Sequence, residues 1–151
     1  MIEHYFAIMS KKRYIQMLIT RASEYAILSL ILLSSAKSPM DSDTLSKELA
    51  ISKSFLAKIL QSLAKANILK SYKGVHGGFV LESDPKSITM LEIMSCVEGK
   101  APAVFECAPS KKDCPSNKAN VCSIWPFLHK LQGKIDVFLA DITLADILCE
   151  D

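Results

Sequence analysis

A chain of 151 residues is long enough for one compact domain with a buried core and too short for two ordinary ones. Half of its residues are apolar and 23% are charged, which excludes global disorder, while a formal net charge of +2 points to no partner by itself. Distribution says more: residues 47–73 carry six lysines against Glu48 alone, whereas residues 131–151 carry one lysine against five acids. A basic middle and an acidic tail predict one face for a polyanion and a separate element for another task.

In chain order, residues 1–16 lack a clean hydrophobic period. They are expected to be an extension, disordered or lying before a natural start at Met17. Lys11-Lys12-Arg13 ahead of the apolar run at 26–33 imitates a secretory signal, but Arg21 and Glu24 interrupt it where the apolar region should begin. The longest uncharged apolar stretch, residues 25–36, has 12 residues, short of the roughly 18 that span a bilayer, so no membrane partner is expected. Residues 20–35 read instead as an internal helix, apolar nearly all round, and therefore central or shared with a second subunit. Pro39-Met40-Asp41 ends it.

Ser42 or Asp43 can cap a short helix over 44–50 that carries Leu45 and Leu49. Ser52 is placed to cap the next helix, whose Leu56, Ile59, Leu60 and Leu63 form an i, i+3, i+4, i+7 face. Its other face shows Lys53, Ser54, Lys58, Gln61 and Lys65. Two short helices and a tight turn read as a helix-turn-helix, or as an ordinary helical hairpin with a solvated lysine face. The following segment favours the former. Residues 68–72 and 79–81 are strand candidates, and three of the chain's five glycines, Gly74, Gly77 and Gly78, lie between them. A hairpin directly after the second helix makes a winged helix-turn-helix. Lys73 and His76 on the wing suit phosphate or minor-groove contact, His76 being equally readable as a plain loop residue. Thr89 and Glu92 match a capping box for a helix closed by Gly99, with Cys96 as a small core residue.

Residues 101–121 change character, with Pro102, Pro109, Pro115, five charges and no period. Cys107, Cys114 and Cys122 fall in or beside this polar segment, where cysteines serve reactivity or ligation rather than packing. Three chemistries compete for them. Zinc prefers cysteine pairs two to four residues apart, and none are that close. A thiol switch needs only two cysteines. An iron–sulfur cluster tolerates varied spacing. A reducing, cytoplasmic compartment disfavours a disulfide scaffold. Residues 124–140 then form a long helix with Trp125, Leu128, Leu131, Ile135, Phe138 and Leu139 at near-heptad spacing, a stripe that seeks a partner helix and predicts a two-fold dimer. A final turn or two follows over 142–148, and Cys149 has no evident role.

Together these residues resemble the bacterial iron–sulfur winged-helix transcriptional regulators of the IscR/NsrR type. The resemblance rests on Ile51-Ser52 with Phe55-Leu56 and Leu60, on Lys73-Gly74-Val75-His76-Gly77-Gly78-Phe79-Val80-Leu81, on the three-cysteine segment, on the helix from Trp125, and on Ile142-Thr143-Leu144-Ala145-Asp146-Ile147. It implies a mainly α (α+β) chain. A winged helix-turn-helix domain occupies 17–100, a cluster-binding loop 101–123, and a dimerisation helix with its C-terminal turn 124–148. It further implies a homodimer on a palindromic operator in double-stranded DNA, with affinity set by a 2Fe–2S or 4Fe–4S cluster that senses nitric oxide, redox or iron status. Cys107, Cys114 and Cys122 match the ligand positions, although their gaps of six and seven residues exceed the family's usual five. Trp125 stands where some members place a histidine ligand. Glu24 matches the acidic ligand other members contribute from the partner subunit, and reads otherwise as a surface charge at a helix start.

Base reading is expected from Ser52, Lys53, Ser54, Phe55 and Lys58, with Phe55 touching a thymine methyl or packing in the core. The alternative function is a winged-helix regulator that senses oxidants through its thiols or binds zinc. Nothing resembles an enzyme: there is no phosphate-binding glycine loop and no nucleophile–base set.

Overall fold

The computed structural model describes residues 19–149, so the expected extension over residues 1–16 lies outside them. The order is α1 (Arg21–Ser35), α2 (Ser42–Glu48), α3 (Lys53–Lys65), β1 (Leu69–Tyr72), β2 (Gly78–Leu81), α4 (Met90–Glu98), α5 (Trp125–Asp141) and α6 (Leu144–Leu148). Short 3-10 turns occur at Pro85–Ser87, Lys111–Asp113 and Ala119–Val121. This mainly helical architecture with one hairpin is the winged-helix arrangement the sequence predicts.

The core is built where the helical period places it. Leu56, Ile59, Leu60 and Leu63 of α3 are all buried, against Leu45 of α2, Leu30 and Leu33 of α1, and Ile93 and Met94 of α4. Each such side chain contributes about 1.5–3 kcal/mol of burial. Helix α1 is buried or half-buried at every apolar position but one. It buries Ser23, Ala26, Ser29, Leu30 and Leu33, but Leu28 is 37% exposed. The reason is coverage: α3, α4 and β2 pack on one side of α1, and its other side is only partly covered in the single chain.

The wing is an antiparallel hairpin in register Leu69↔Leu81 to Tyr72↔Gly78. Met40 adds an isolated bridge to Phe79, with the Phe79 amide donating to the Met40 carbonyl at 2.8 Å. The link after α1 is thereby tied to the wing.

Two caps differ from the expected ones. Helix α2 is capped by Asp41, whose Oδ1 accepts from the amides of Asp43 at 2.8 Å and Thr44 at 3.0 Å. Asp43 faces outward instead and pairs with Lys47 at 2.6 Å. Thr89 caps α4 by accepting from the Glu92 amide, but the two-way capping box forms at Thr143 and Asp146, at the start of α6. Thr89 and Thr143 bridge one another, so the C-terminal turn is stapled to the start of α4. Gly99 closes α4 in the left-handed region at φ 70°, as expected.

Candidate nucleic-acid interface and cysteine segment

Ser52 caps α3, its hydroxyl accepting from the Phe55 amide at 3.4 Å, so the helix presents its first turn from a fixed start. Ser52, Lys53, Ser54 and Lys58 are all exposed on the face opposite the core. Lys53 reaches Asp43 of α2 at 3.5 Å, an exposed pair that water screens and a phosphate can displace. Phe55 is not a core residue: it is 37% exposed and meets the Tyr25 ring edge-on at 6.1 Å.

On the wing, Lys73 and His76 are exposed, and Val75 at the tip is 98% exposed. Gly74 turns the chain at φ +107°, and the Gly77 amide donates to the Gly74 carbonyl at 3.0 Å. The α3 surface and the wing tip thus form two basic projections, the pair a winged helix sets into adjacent grooves.

The cysteine segment lies against α5. Cys107 is 5% exposed, and Cys114 and Cys122 are half-buried at the ends of the two 3-10 turns. Between them Asn117 adopts a left-handed conformation at φ 52°, which asparagine tolerates, and its amide donates to the Cys114 carbonyl. The amides of Lys118 and Ser116, with those of Ala119 and Asn117, face the Cys114 sulfur and hold its thiol below the ordinary range. Glu24 sits in the first turn of α1, paired with Arg21 at 3.6 Å.

Three thiols on one segment have donor chemistry suited to an iron–sulfur cluster. In the single chain as folded they stand apart. Among the described residues no group of three or more Cys, His, Asp or Glu comes close enough to hold a metal ion.

Sequence reasoning missed what holds the segment down. The Trp125 indole N–H donates to the Cys107 carbonyl at 2.9 Å, and His129 Nδ1 donates to the Ala108 carbonyl at 2.9 Å. Gln132, buried, donates through Nε2 to the Pro102 carbonyl at 2.9 Å and to Asp136 Oδ1 at 2.7 Å, and accepts through Oε1 from the Val104 amide at 2.9 Å. The Trp125 and His129 rings stack 4.7 Å apart, with Lys111 Nζ over the indole. Trp125, His129, Gln132 and Asp136 share one face of α5 at i, i+4, i+7 and i+11. The only sequence signal was that spacing, masked by its polar content. The same rotation of α5 turns Phe138 outward with Ile124, Phe127 and Val137, while Ile135 and Leu139 face the core. The predicted apolar stripe is therefore divided between two faces.

A helix-turn-helix with an anchored wing defines a winged-helix DNA-binding protein. The family profile described as Rrf2, an iron-dependent transcriptional regulator, matches residues 19–150, and the chain belongs to that family. Among curated relatives, the transcriptional regulator IscR of Vibrio vulnificus is 28% identical over 137 residues, covering 89% of this chain and 79% of that protein. Among solved structures, IscR of T. potens is similar with a TM-score of 0.62 at 23% identity, over 95% of this chain and 90% of that one. CymR of B. subtilis, the global cysteine regulator, is similar with a TM-score of 0.64 at 23% identity, over 88% and 97%. The chain is a transcriptional regulator and not an enzyme. No helix among the described residues is long and apolar enough to cross a membrane.

Proposed function

We propose that the chain acts as a homodimeric repressor on a palindromic operator in double-stranded DNA, with Cys107, Cys114 and Cys122 as the residues whose chemical state sets operator affinity. The observation that carries the DNA reading is the exposed basic face of α3, Ser52, Lys53, Ser54, Phe55 and Lys58, standing beside the Lys73 and His76 wing. Two copies would set their α3 helices into half-sites about 34–36 Å apart or a multiple of that, so a small change between the copies loosens several phosphate contacts together.

In the finer reading the three cysteines hold an iron–sulfur cluster, with Glu24 of a second copy as the candidate fourth ligand. The family description and the IscR relatives support it. Thiol sensing without a metal is the second reading, favoured by the amide cradle that lowers the Cys114 pKa.

Binding of the chain to its own promoter, followed by gel shift over a range of salt, tests the DNA reading. Lys58→Ala is expected to weaken binding and reduce the salt slope by about one. An unchanged affinity and slope would remove Lys58 from the interface. Iron and acid-labile sulfide after anoxic purification distinguish the cluster from a bare thiol sensor. A triple Cys→Ser variant that responds to oxidants, nitric oxide and iron starvation as the parent does would end both readings.

A further inference from the structure

We propose that Trp125, His129, Gln132 and Asp136 form a clasp that positions Cys107 and sets how readily its thiol reacts. The inference deepens the sensing reading and rests on it.

Helix α5 makes four hydrogen bonds to backbone groups between residues 102 and 108, to the carbonyls of Pro102, Cys107 and Ala108 and from the amide of Val104. A carbonyl only accepts, so His129 carries its proton on Nδ1, and stacking on Trp125 fixes the ring that presents it. Asp136 braces the Gln132 amide from the next turn. The consequence falls on one cysteine. Cys107 and Ala108 lie on the gripped stretch and are buried, while Cys114 and Cys122 lie beyond it and are half-buried. The Cys107 thiol reaches a metal ion or an electrophile only when the clasp opens. This accounts for three cysteines of one segment that do not form a ligand group as folded. Trp125, which stands where some members of the resembled family carry a histidine, here holds the Cys107 backbone.

The test uses the full chain, reduced, metal-free and anoxic, labelled with N-ethylmaleimide and read cysteine by cysteine through peptide mass spectrometry. Cys149, exposed, is the fast reference and Cys96, packed against the core, reports unfolding. In the parent, Cys107 is expected to label at least about tenfold more slowly than Cys149, the closed clasp hiding it behind several net hydrogen bonds. His129→Phe keeps the stacking and loses the donor; Gln132→Leu loses three hydrogen bonds. His129→Phe is expected to speed Cys107 roughly threefold to tenfold, and Gln132→Leu by more than about tenfold, with Cys96 still protected. If Gln132→Leu exposes Cys96, the parent and His129→Phe rates decide. Cys107 labelling as fast as Cys149 in the parent, or unmoved by His129→Phe, overturns the clasp. Because labelling is read without metal, either result is independent of whether the chain binds a cluster, which iron content reports separately.

Discussion

Amides of Lys118, Ser116, Ala119 and Asn117 turn toward the Cys114 sulfur and favour its thiolate. Burial does the opposite to Cys96, and Glu92 on the same helix adds to it, pushing that thiol up to about 11. The thiolate is the reacting form, so at pH 8 only about one Cys96 in a thousand is competent, three units below its pKa. Alkylation at pH 8 is therefore expected to proceed far faster at Cys114 than at Cys96. Its pH dependence at Cys114 should centre below the ordinary thiol value of 9.0. Equal rates for the two cysteines would contradict this assignment. Asp41 gives a second pH signature. The Thr44 amide, the Thr44 hydroxyl and the Asp43 amide depress its carboxyl below the usual 3.8. A depressed carboxyl stabilises the fold above its unfolded value, and that stabilisation is lost as pH falls through the folded value. Asp41→Asn keeps an acceptor at the cap without a charge. Parent and variant are thus expected to differ in melting temperature at pH 6, with the gap closing only as the pH falls below 3.8 and through the depressed folded value. A gap of constant size would show that the charge contributes nothing.

At the scale of elements, the wing depends on one close approach. A Cβ at Gly78 would stand 2.5 Å from the Met40 carbonyl carbon, and backbone there cannot give way without breaking the bridge to Phe79. Gly78→Ala is expected to cost about 1–3 kcal/mol. It should lower operator affinity more than the helical signal in circular dichroism, because α1, α3 and α4 pack without it. Parent-like operator binding would show that wing placement is not held by Met40. This glycine cluster and the α3 period were legible in the sequence because both are local: a turn through positive φ needs glycine, and a buried helix face repeats every three to four residues. The α5 surface was not legible in the same way. Gln132 and His129 look like ordinary solvent-facing residues, and their partners at Pro102, Val104 and Ala108 lie 21 to 30 positions away on a segment without a period. The α2 cap fell between these cases. Three adjacent residues, Asp41, Ser42 and Asp43, all have capping side chains, and where the chain leaves its bridge at Met40 decides among them.

For the whole molecule, the two faces of α5 connect the cysteine segment to whatever lies on its outer side. The inner face grips residues 102–108; the outer face exposes Phe127 at 61% and Phe138 at 60%, eleven positions or three turns apart, with Ile124 and Val137 alongside. In the proposed dimer these side chains would be covered by the second copy, and a segment released on one side of α5 would shift the helix that joins the two DNA-reading heads. Burying a whole phenylalanine is worth about 1.5–3 kcal/mol; with about 60% of each ring exposed, removing both from both subunits withdraws about 4–7 kcal/mol, roughly half of the free energy of a micromolar to nanomolar association. Phe127→Ser combined with Phe138→Ser is accordingly expected to sediment as a monomer at micromolar concentration. Its helical content should stay near the parent's, since neither side chain belongs to the core of the single chain. The same variant should still bind a lone half-site weakly while losing the gain of a second one, at least about a hundredfold. A variant that remains dimeric and binds the full operator as the parent does would place the dimer contact elsewhere, and would cut the route from the cysteine segment through α5 to the DNA.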